Sequence, residues 1–215
     1  MGNLSSATSN DDWAFSDCNS LASIGDLSNV TSIGNMAFYN CSSLASIGDL
    51  PNVTSIGEGA FQDCSSLASV GEMANVTRIG GTAFYNCGSL ESVGNMSNVT
   101  SIGNWAFNDC ALLASIGDLT NVKSIGIGAF FNCSSLASIG DLPNVATIGE
   151  SAFYKCSSLK TVTIADSVTE ITSYTFHATN LDDVYFKGSK EQWDAITIDY
   201  DGQPCLKTAT IHYNS

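Results

Sequence analysis

Asn35–Gly57 reads NMAFYNCSSLASIGDLPNVTSIG, and the chain is this stretch written over and over. Its Ala-Phe pair recurs at Ala14-Phe15, Ala37-Phe38, Ala60-Phe61, Ala83-Phe84, Ala106-Phe107, Ala129-Phe130 and Ala152-Phe153, always 23 residues on. A unit this short cannot bury a core alone. Stacked copies can, so a fixed period of this size predicts an elongated array.

The spacing inside one unit decides what kind of array. Phe38, Cys41, Leu44, Ile47, Leu50, Val53 and Ile56 lie three residues apart, and Ala60-Phe61 restarts the cycle. A period of three fits neither the 3.6 of an α-helix nor the 2 of a flat strand. It fits a coil whose wall turns inward repeatedly. The predicted fold is therefore a repeat solenoid of short parallel strands and turns, mostly β with little helix. Gly34, Gly57, Gly80, Gly103, Gly126 and Gly149 follow the second Ile, where a bend with positive φ is expected. Gly25, Gly48, Gly71, Gly94, Gly117 and Gly140 fall inside the presumed sheet segment. Asn29, Asn52, Asn75, Asn98, Asn121 and Asn144 predict an asparagine ladder that satisfies backbone groups of adjacent coils.

Three segments follow. Residues 1–12 are polar and read as a disordered or improvised start. Residues 13–186 hold about eight units of the solenoid. Residues 187–215 leave the repeat and read as a C-terminal cap, which a solenoid needs. There Ser189 is a fair N-cap for a short helix in SKEQWDAI with Glu191 in its first turn, and Thr208–Tyr213 reads as a strand. The front end has no comparable cap. Its first coil exposes Trp13, Phe15, Leu21 and Ile24, a candidate surface for self-association into a homodimer.

The phrases AF-x-x-CSSL, L-x-x-V-x-I-x-x-SV-x-x-I and VYFKGSKEQWDAI together resemble the BspA-like leucine-rich repeat family. The resemblance runs from Trp13 to the tail. It implies a right-handed solenoid with a concave parallel sheet and a convex side of short strands or turns. It also implies a place on bacterial cell surfaces, adhesin-like binding, and no catalytic residues. The central repeats depart from the family in using IGDL where an alternating strand followed by Pro is usual; only the last repeat, with Val162-Thr163-Ile164, is orthodox.

Composition narrows the partner. A 44% hydrophobic content permits an ordered core. The formal net charge is −14 with 7 Lys+Arg, which excludes nucleic acid as a natural partner and disfavours anionic membrane surfaces. No apolar run approaches a membrane span, so no membrane insertion is expected. The start MGNLSSATSN has no signal-peptide pattern, while the parent protein is expected to be secreted or at the cell surface. Cys18, Cys41, Cys64, Cys87, Cys110, Cys133 and Cys156 occupy one position of seven repeats and read as small buried packing residues; Cys205 lies outside the series. His177 and His212 occur late with no matching nucleophile, so the chain is read as non-enzymatic.

Two outward rows are candidates for binding. Tyr39, Tyr85, Phe131 and Tyr154 follow the core Phe, at positions where the units vary, and read as convex contact anchors. Asp26, Asp49, Glu72, Asp118 and Asp141 form an acidic row, broken by Asn95. Stacked carboxylates could attract a cation such as calcium, or each could bond backbone in its own turn. No other cofactor is implied. The Asn-Val-Thr sequons at Asn29, Asn52, Asn75 and Asn98 coincide with the ladder asparagines. The reading is an extracellular binding or adhesion module that presents a rigid repetitive surface to a protein or glycan. The alternative is a structural or self-associating repeat protein, including an engineered consensus, that assembles through its N-terminal coil.

Overall fold

The computed structural model describes residues 7–214. Within them the chain winds as a parallel β-solenoid with eight rungs, marked by the Ala-Phe turns and their counterpart at Thr175-Phe176. One five-residue α-helix, Lys190–Asp194, and one short 3₁₀ turn, Pro204–Lys207, are the helical elements among the described residues. The first six residues of the segment expected to be irregular lie outside the described part.

Every third apolar side chain points inward as the spacing requires. Phe38, Cys41, Leu44, Leu50 and Val53 are completely buried, and their equivalents in the later coils are buried too, while Phe15, Cys18 and Leu21 of the first coil are half-buried. The phenylalanines form one continuous stack. From Phe15 to Phe176 successive ring centroids lie 5.1–5.5 Å apart with interplanar angles of 2–10°. At that distance near-parallel rings must be offset, which suits their quadrupoles, and each buried ring contributes about 1.5–3 kcal/mol of burial.

Two parallel ladders flank the core. Ser32–Ile33, Ser55–Ile56, Arg78–Ile79, Ser101–Ile102, Ser124–Ile125 and Thr147–Ile148 make a six-stranded sheet in chain order. Ser46–Ile47, Ser69–Val70 and Ser92–Val93 make a three-stranded sheet, continued by single bridges through Ser115 and Ser138. The expected sheet at Ala-Ser-Ile is thus the shorter ladder, and the longer one runs along Thr-Ser-Ile. Gly48, Gly71 and Gly94 lie one residue past their strands rather than inside them.

The second glycine row needs a correction. None of Gly34, Gly57, Gly80, Gly103, Gly126 and Gly149 has positive φ. They are glycine because the neighbouring coil leaves no room: a Cβ on Gly57 would sit 2.6 Å from the Asn35 amide nitrogen, and one on Gly103 2.4 Å from that of Gly81. Close approach, not left-handed backbone, selects the residue.

The ends are asymmetric. At the front, Thr8–Asp12 already follow the repeat register. Thr31 N–H donates to Thr8 O at 3.0 Å, Gly34 N–H donates to Asn10 O at 2.7 Å, and Asn10 bridges Ile33. The ordered array therefore begins before Trp13, and Asn10 occupies a core position.

At the back, Thr161–Ile164, Asp183–Phe186 and Thr210–Tyr213 form a parallel three-stranded sheet. The helix between them starts at Ser189, whose hydroxyl accepts from Gln192 N–H while the Gln192 side chain accepts from Ser189 N–H, a full capping box. Gln203 ends the ladder. In each earlier coil the Phe N–H donates to a carbonyl of the next coil, as Phe153 does to Thr175 at 2.9 Å. Phe176 has no next coil and donates instead to Gln203 Oε1 at 3.1 Å, while Gln203 Nε2 donates to Thr172 O at 3.0 Å. Cys205 extends the cysteine series by the same device: Cys156 Sγ donates to Phe130 O, and Cys205 Sγ to Phe176 O, both at 3.1 Å.

Gln203→Leu leaves the Phe176 N–H and the Thr172 carbonyl without this side-chain partner. It should lower the stability of the C-terminal coils by about 1–3 kcal/mol. Urea unfolding followed by amide hydrogen exchange at coils 153–176 measures this; unchanged protection there would refute the capping role.

Candidate functional site

The Ala-Phe turn fixes what faces outward. Each turn is flanked by two left-handed residues, as at Met36 (φ 52) and Asn40 (φ 55). Met36, Phe38 and Asn40 then aim their N–H groups along the axis, donating to Glu58, Ala60 and Gln62 carbonyls at 2.8 Å each. Ala37 and Phe38 enter the core, while residue 39 and its equivalents remain half-buried at the surface, except Asn108, which is buried. Asn and Asp tolerate left-handed backbone better than other non-glycine residues, which explains Asp17, Asn40, Asp63, Asn86, Asp109 and Asn132 at one of these positions.

Their alternation has a second cause. Asn40 Nδ2 donates to Asp17 Oδ1 at 2.8 Å, Asn86 to Asp63 at 2.8 Å, and Asn132 to Asp109 at 2.7 Å. Each carboxylate meets an amide in the next coil rather than another carboxylate.

Beside this row run the candidate anchors. Tyr39, Tyr85, Phe131 and Tyr154 are all half-buried. Trp13 meets Tyr39 edge-on at 6.3 Å. Tyr85 has no ring neighbour among the described residues. Phe131 stacks on Tyr154 at 4.6 Å, and Tyr154 on His177 at 5.1 Å. Trp105 tilts against Phe131 at 5.9 Å, and Tyr174, 45% exposed, meets the Tyr154 and His177 rings edge-on. Lys155 Nζ lies 5.5 Å from the Tyr154 ring centroid, a cation–π contact. His177 Nδ1 donates to Gly202 O at 2.8 Å, which fixes the imidazole on the cap.

Sequence reasoning overlooked Trp105, Tyr174 and His177. His177 follows Phe176 as Tyr39 follows Phe38, so the register alone places it in the row. Trp105 precedes Ala106 at a left-handed position, φ 59, and lies over Gly128, where a Cβ would fall 2.2 Å from the indole. The alternation of bulky residue and glycine in Met36-Gly59 and Trp105-Gly128 was the available signal.

The acidic row is occupied with backbone. Asp26 accepts from Ser28 N–H at 2.8 Å. Asp49 accepts from Glu72 N–H at 2.9 Å, and Glu72 from Asn95 N–H at 3.0 Å. Asp118 accepts from the Thr120 hydroxyl and from its N–H, and these bonds hold its carboxyl below the usual range. Asp141 lies exposed in the same row. No group of three or more His, Cys, Asp or Glu suited to a metal ion occurs among the described residues.

The cysteines are all free thiols. Burial pushes the Cys110 and Cys133 thiols well up and that of Cys156 up to about 12, so none of these three offers a thiolate near neutral pH. The ladder asparagines behave as expected: Asn75, Asn98 and Asn121 donate Nδ2 to carbonyls of the preceding coil at 2.5–2.7 Å. In the sequons that nitrogen is the one glycosylation would need. In the first coil Trp13 is 58% exposed, while Phe15, Leu21 and Ile24 are half-buried against the core.

The profile of the BspA type leucine rich repeat region matches six copies, over residues 4–114 and 112–199. The chain belongs to this family. Among solved structures it is similar to a leucine rich cell surface protein from Faecalibacterium prausnitzii, at 22% identity over 88% of this chain and 79% of that one, with a TM-score of 0.43. It is also similar to a leucine rich repeat protein of T. pallidum, at 28% identity over 60% and 72%, TM-score 0.42. The pneumococcal vaccine antigen PcpA aligns at 15% identity over 90% and 74%, TM-score 0.37. No curated protein matches the sequence. Among the described residues no helix is long and apolar enough to cross a membrane.

The Asp–Asn pairing gives a pH test. Asn86→Asp places carboxylates at 63, 86 and 109 in succession. Their repulsion raises carboxyl pKa in the folded state, so the variant is destabilised above that pKa and recovers as pH falls through it. A loss of about 1 kcal/mol relative to the parent at pH 7, shrinking by pH 4, is expected from urea midpoints. An equal deficit at both pH values would mean that only the hydrogen bond matters.

Proposed function

We propose that the chain is a non-enzymatic binding module of an extracellular or cell-surface protein, and that the outward row beside the Ala-Phe turn carries the contacts. The supporting observation is the division of labour among positions. The inward positions are buried ladders of near-identical residues, while the row after the Phe varies and collects half-exposed aromatic rings held on rigid turns. Rigid aromatics lose little entropy on contact, which is what an anchor requires. Affinity would accumulate over coils, each contact weak and the sum substantial.

The partner is expected to be a protein or glycan of a neighbouring cell or matrix. A chain of net charge −14 favours neutral or cationic surfaces over nucleic acid and anionic lipid. Calcium is not required in this reading, because Asp26, Asp49, Glu72 and Asp118 already accept backbone N–H groups.

Binding to immobilised matrix proteins and a glycan panel, with and without a chelator, tests this. Tyr85→Ser with Tyr154→Ser should weaken the best interaction about tenfold or more. Asp49→Asn with Asp118→Asn and chelation should leave it intact. Unchanged binding in the tyrosine variant would remove the row from consideration.

A second reading, self-association through the first coil, is favoured by the exposure of Trp13 beside the half-buried Phe15, Leu21 and Ile24. In that reading the chain scatters light as a dimer and Leu21→Lys returns it to a monomer. A parent chain that is monomeric throughout would end it.

A further inference from the structure

The inward positions repeat every 23 residues, but the outward row repeats every 46. The residues after the core Phe read Ser16-Asp17, Tyr39-Asn40, Gln62-Asp63, Tyr85-Asn86, Asn108-Asp109 and Phe131-Asn132. Ring and amide or hydroxyl alternate, and the ring positions continue at His177, with Tyr154 as an extra ring between. Packing does not demand this doubling, because every coil has the same inward residues. Coils at the spacing of paired strands place successive ring positions about 10 Å apart.

We infer that this row takes an extended, neutral, β-linked polysaccharide, an inference that rests on the binding reading above and names its ligand class. In an extended β-linked chain each sugar is flipped relative to the one before. The same apolar face therefore returns every second sugar, a disaccharide step that suits rings on alternate coils. The intervening positions suit hydroxyl groups. Gln62 presents an amide whose Nε2 also donates to Asp63 Oδ2 at 3.3 Å, while Asn108, 4% exposed, is buried and its Oδ1 has no hydrogen-bond partner among the described residues. The Tyr39 and Tyr85 hydroxyls bond no other described residue and remain for the ligand. Asp17, Asp63 and Asp109 line the row and disfavour a sulfated or carboxylated polymer.

Other polymers fit less well. An extended peptide repeats its face about every 7 Å and drifts out of step with the rings. An amphipathic helix needs a continuous apolar groove, and here polar side chains interrupt the rings.

The test is calorimetric titration of the whole chain with chito-oligosaccharides and cello-oligosaccharides of increasing length. Affinity should rise stepwise as the oligomer becomes long enough to reach a second and a third ring. Tyr85→Ala, removing the middle ring, should abolish the second step and cost about tenfold on the longest oligomers. Gln62→Ala, a milder change, should weaken every length spanning coil 62, and urea midpoints verify folding of both. Length-independent affinity, or affinity indifferent to both variants, overturns the inference. If no oligosaccharide binds while a matrix protein binds and loses affinity in the tyrosine variant, the glycan class falls and the binding reading stands. If neither ligand responds to the row, both fall.

Discussion

Everything in this molecule depends on how closely one coil lies on the next. Main-chain hydrogen bonds cross the coil boundary at the turn, at the Thr-Ser-Ile strand and at the Ala-Ser-Ile strand: Phe38 to Ala60, Thr54 to Thr31, and Ala45 to Ala22. With bonds on several sides the coil cannot tilt or slip. The approach explains the glycine rows, since a Cβ at Gly57 or Gly80 would meet backbone at 2.6 Å. It also explains the phenylalanine stack, since the same spacing sets ring against ring. A side chain in this fold is chosen as much for its copy one coil away as for its neighbours in sequence.

That constraint divides the positions by chemistry. Apolar side chains gain from meeting themselves, so Phe, Leu, Val and Ile repeat with little change. A thiol also fits, because from Cys41 to Cys156 each ladder Sγ donates to the Phe carbonyl of the preceding coil and needs no partner cysteine. A carboxylate meeting itself at strand spacing is repelled. The array avoids this in two ways. In the row beside the aromatics Asp alternates with Asn; in the acidic row Asp26, Asp49, Glu72 and Asp118 each turn to a backbone N–H, either their own turn's or the next coil's.

Much of this was legible in the sequence, and the failures have definite causes. The three-residue apolar spacing fixed which side chains face inward, from Phe38 to Ile56. Ser189 marked the start of the short helix, and the alternation at Val162-Thr163-Ile164 marked the longer strand of the last repeat. The glycines after Ile33 and Ile56 misled because two physical demands, positive φ and close approach, select the same residue. Trp105 and Tyr174 adopt left-handed backbone without being Gly or Asn, and only the three-dimensional turn reveals it. The front boundary was readable: TSNDDWAF aligns on TSIGNMAF, and Thr8 takes the place of Thr31. Gln203 and Cys205 were not readable. They stand in for a coil that does not exist, and their separations of 27 and 29 residues from Phe176 belong to no period.

The two periods bear on function more than any single residue does. Duplication of identical coils would give every position a period of 23, and packing keeps it so wherever the side chain is buried. A period of 46 in the outward row can survive only where the solenoid itself is indifferent to it. The Asp–Asn pairs supply an internal reason for part of that doubling, since charge repulsion enforces alternation. They do not require that the Asn coils also carry the rings. Tyr39, Tyr85 and Phe131 could each have been placed on an Asp coil without disturbing the amide–carboxylate bonds. Their consistent place on the Asn coils spaces the rings by two coils and keeps the hydroxyls of Tyr39 and Tyr85 free. Electrostatics thus accounts for the alternation of charge, and the alternation of rings is what a partner could read.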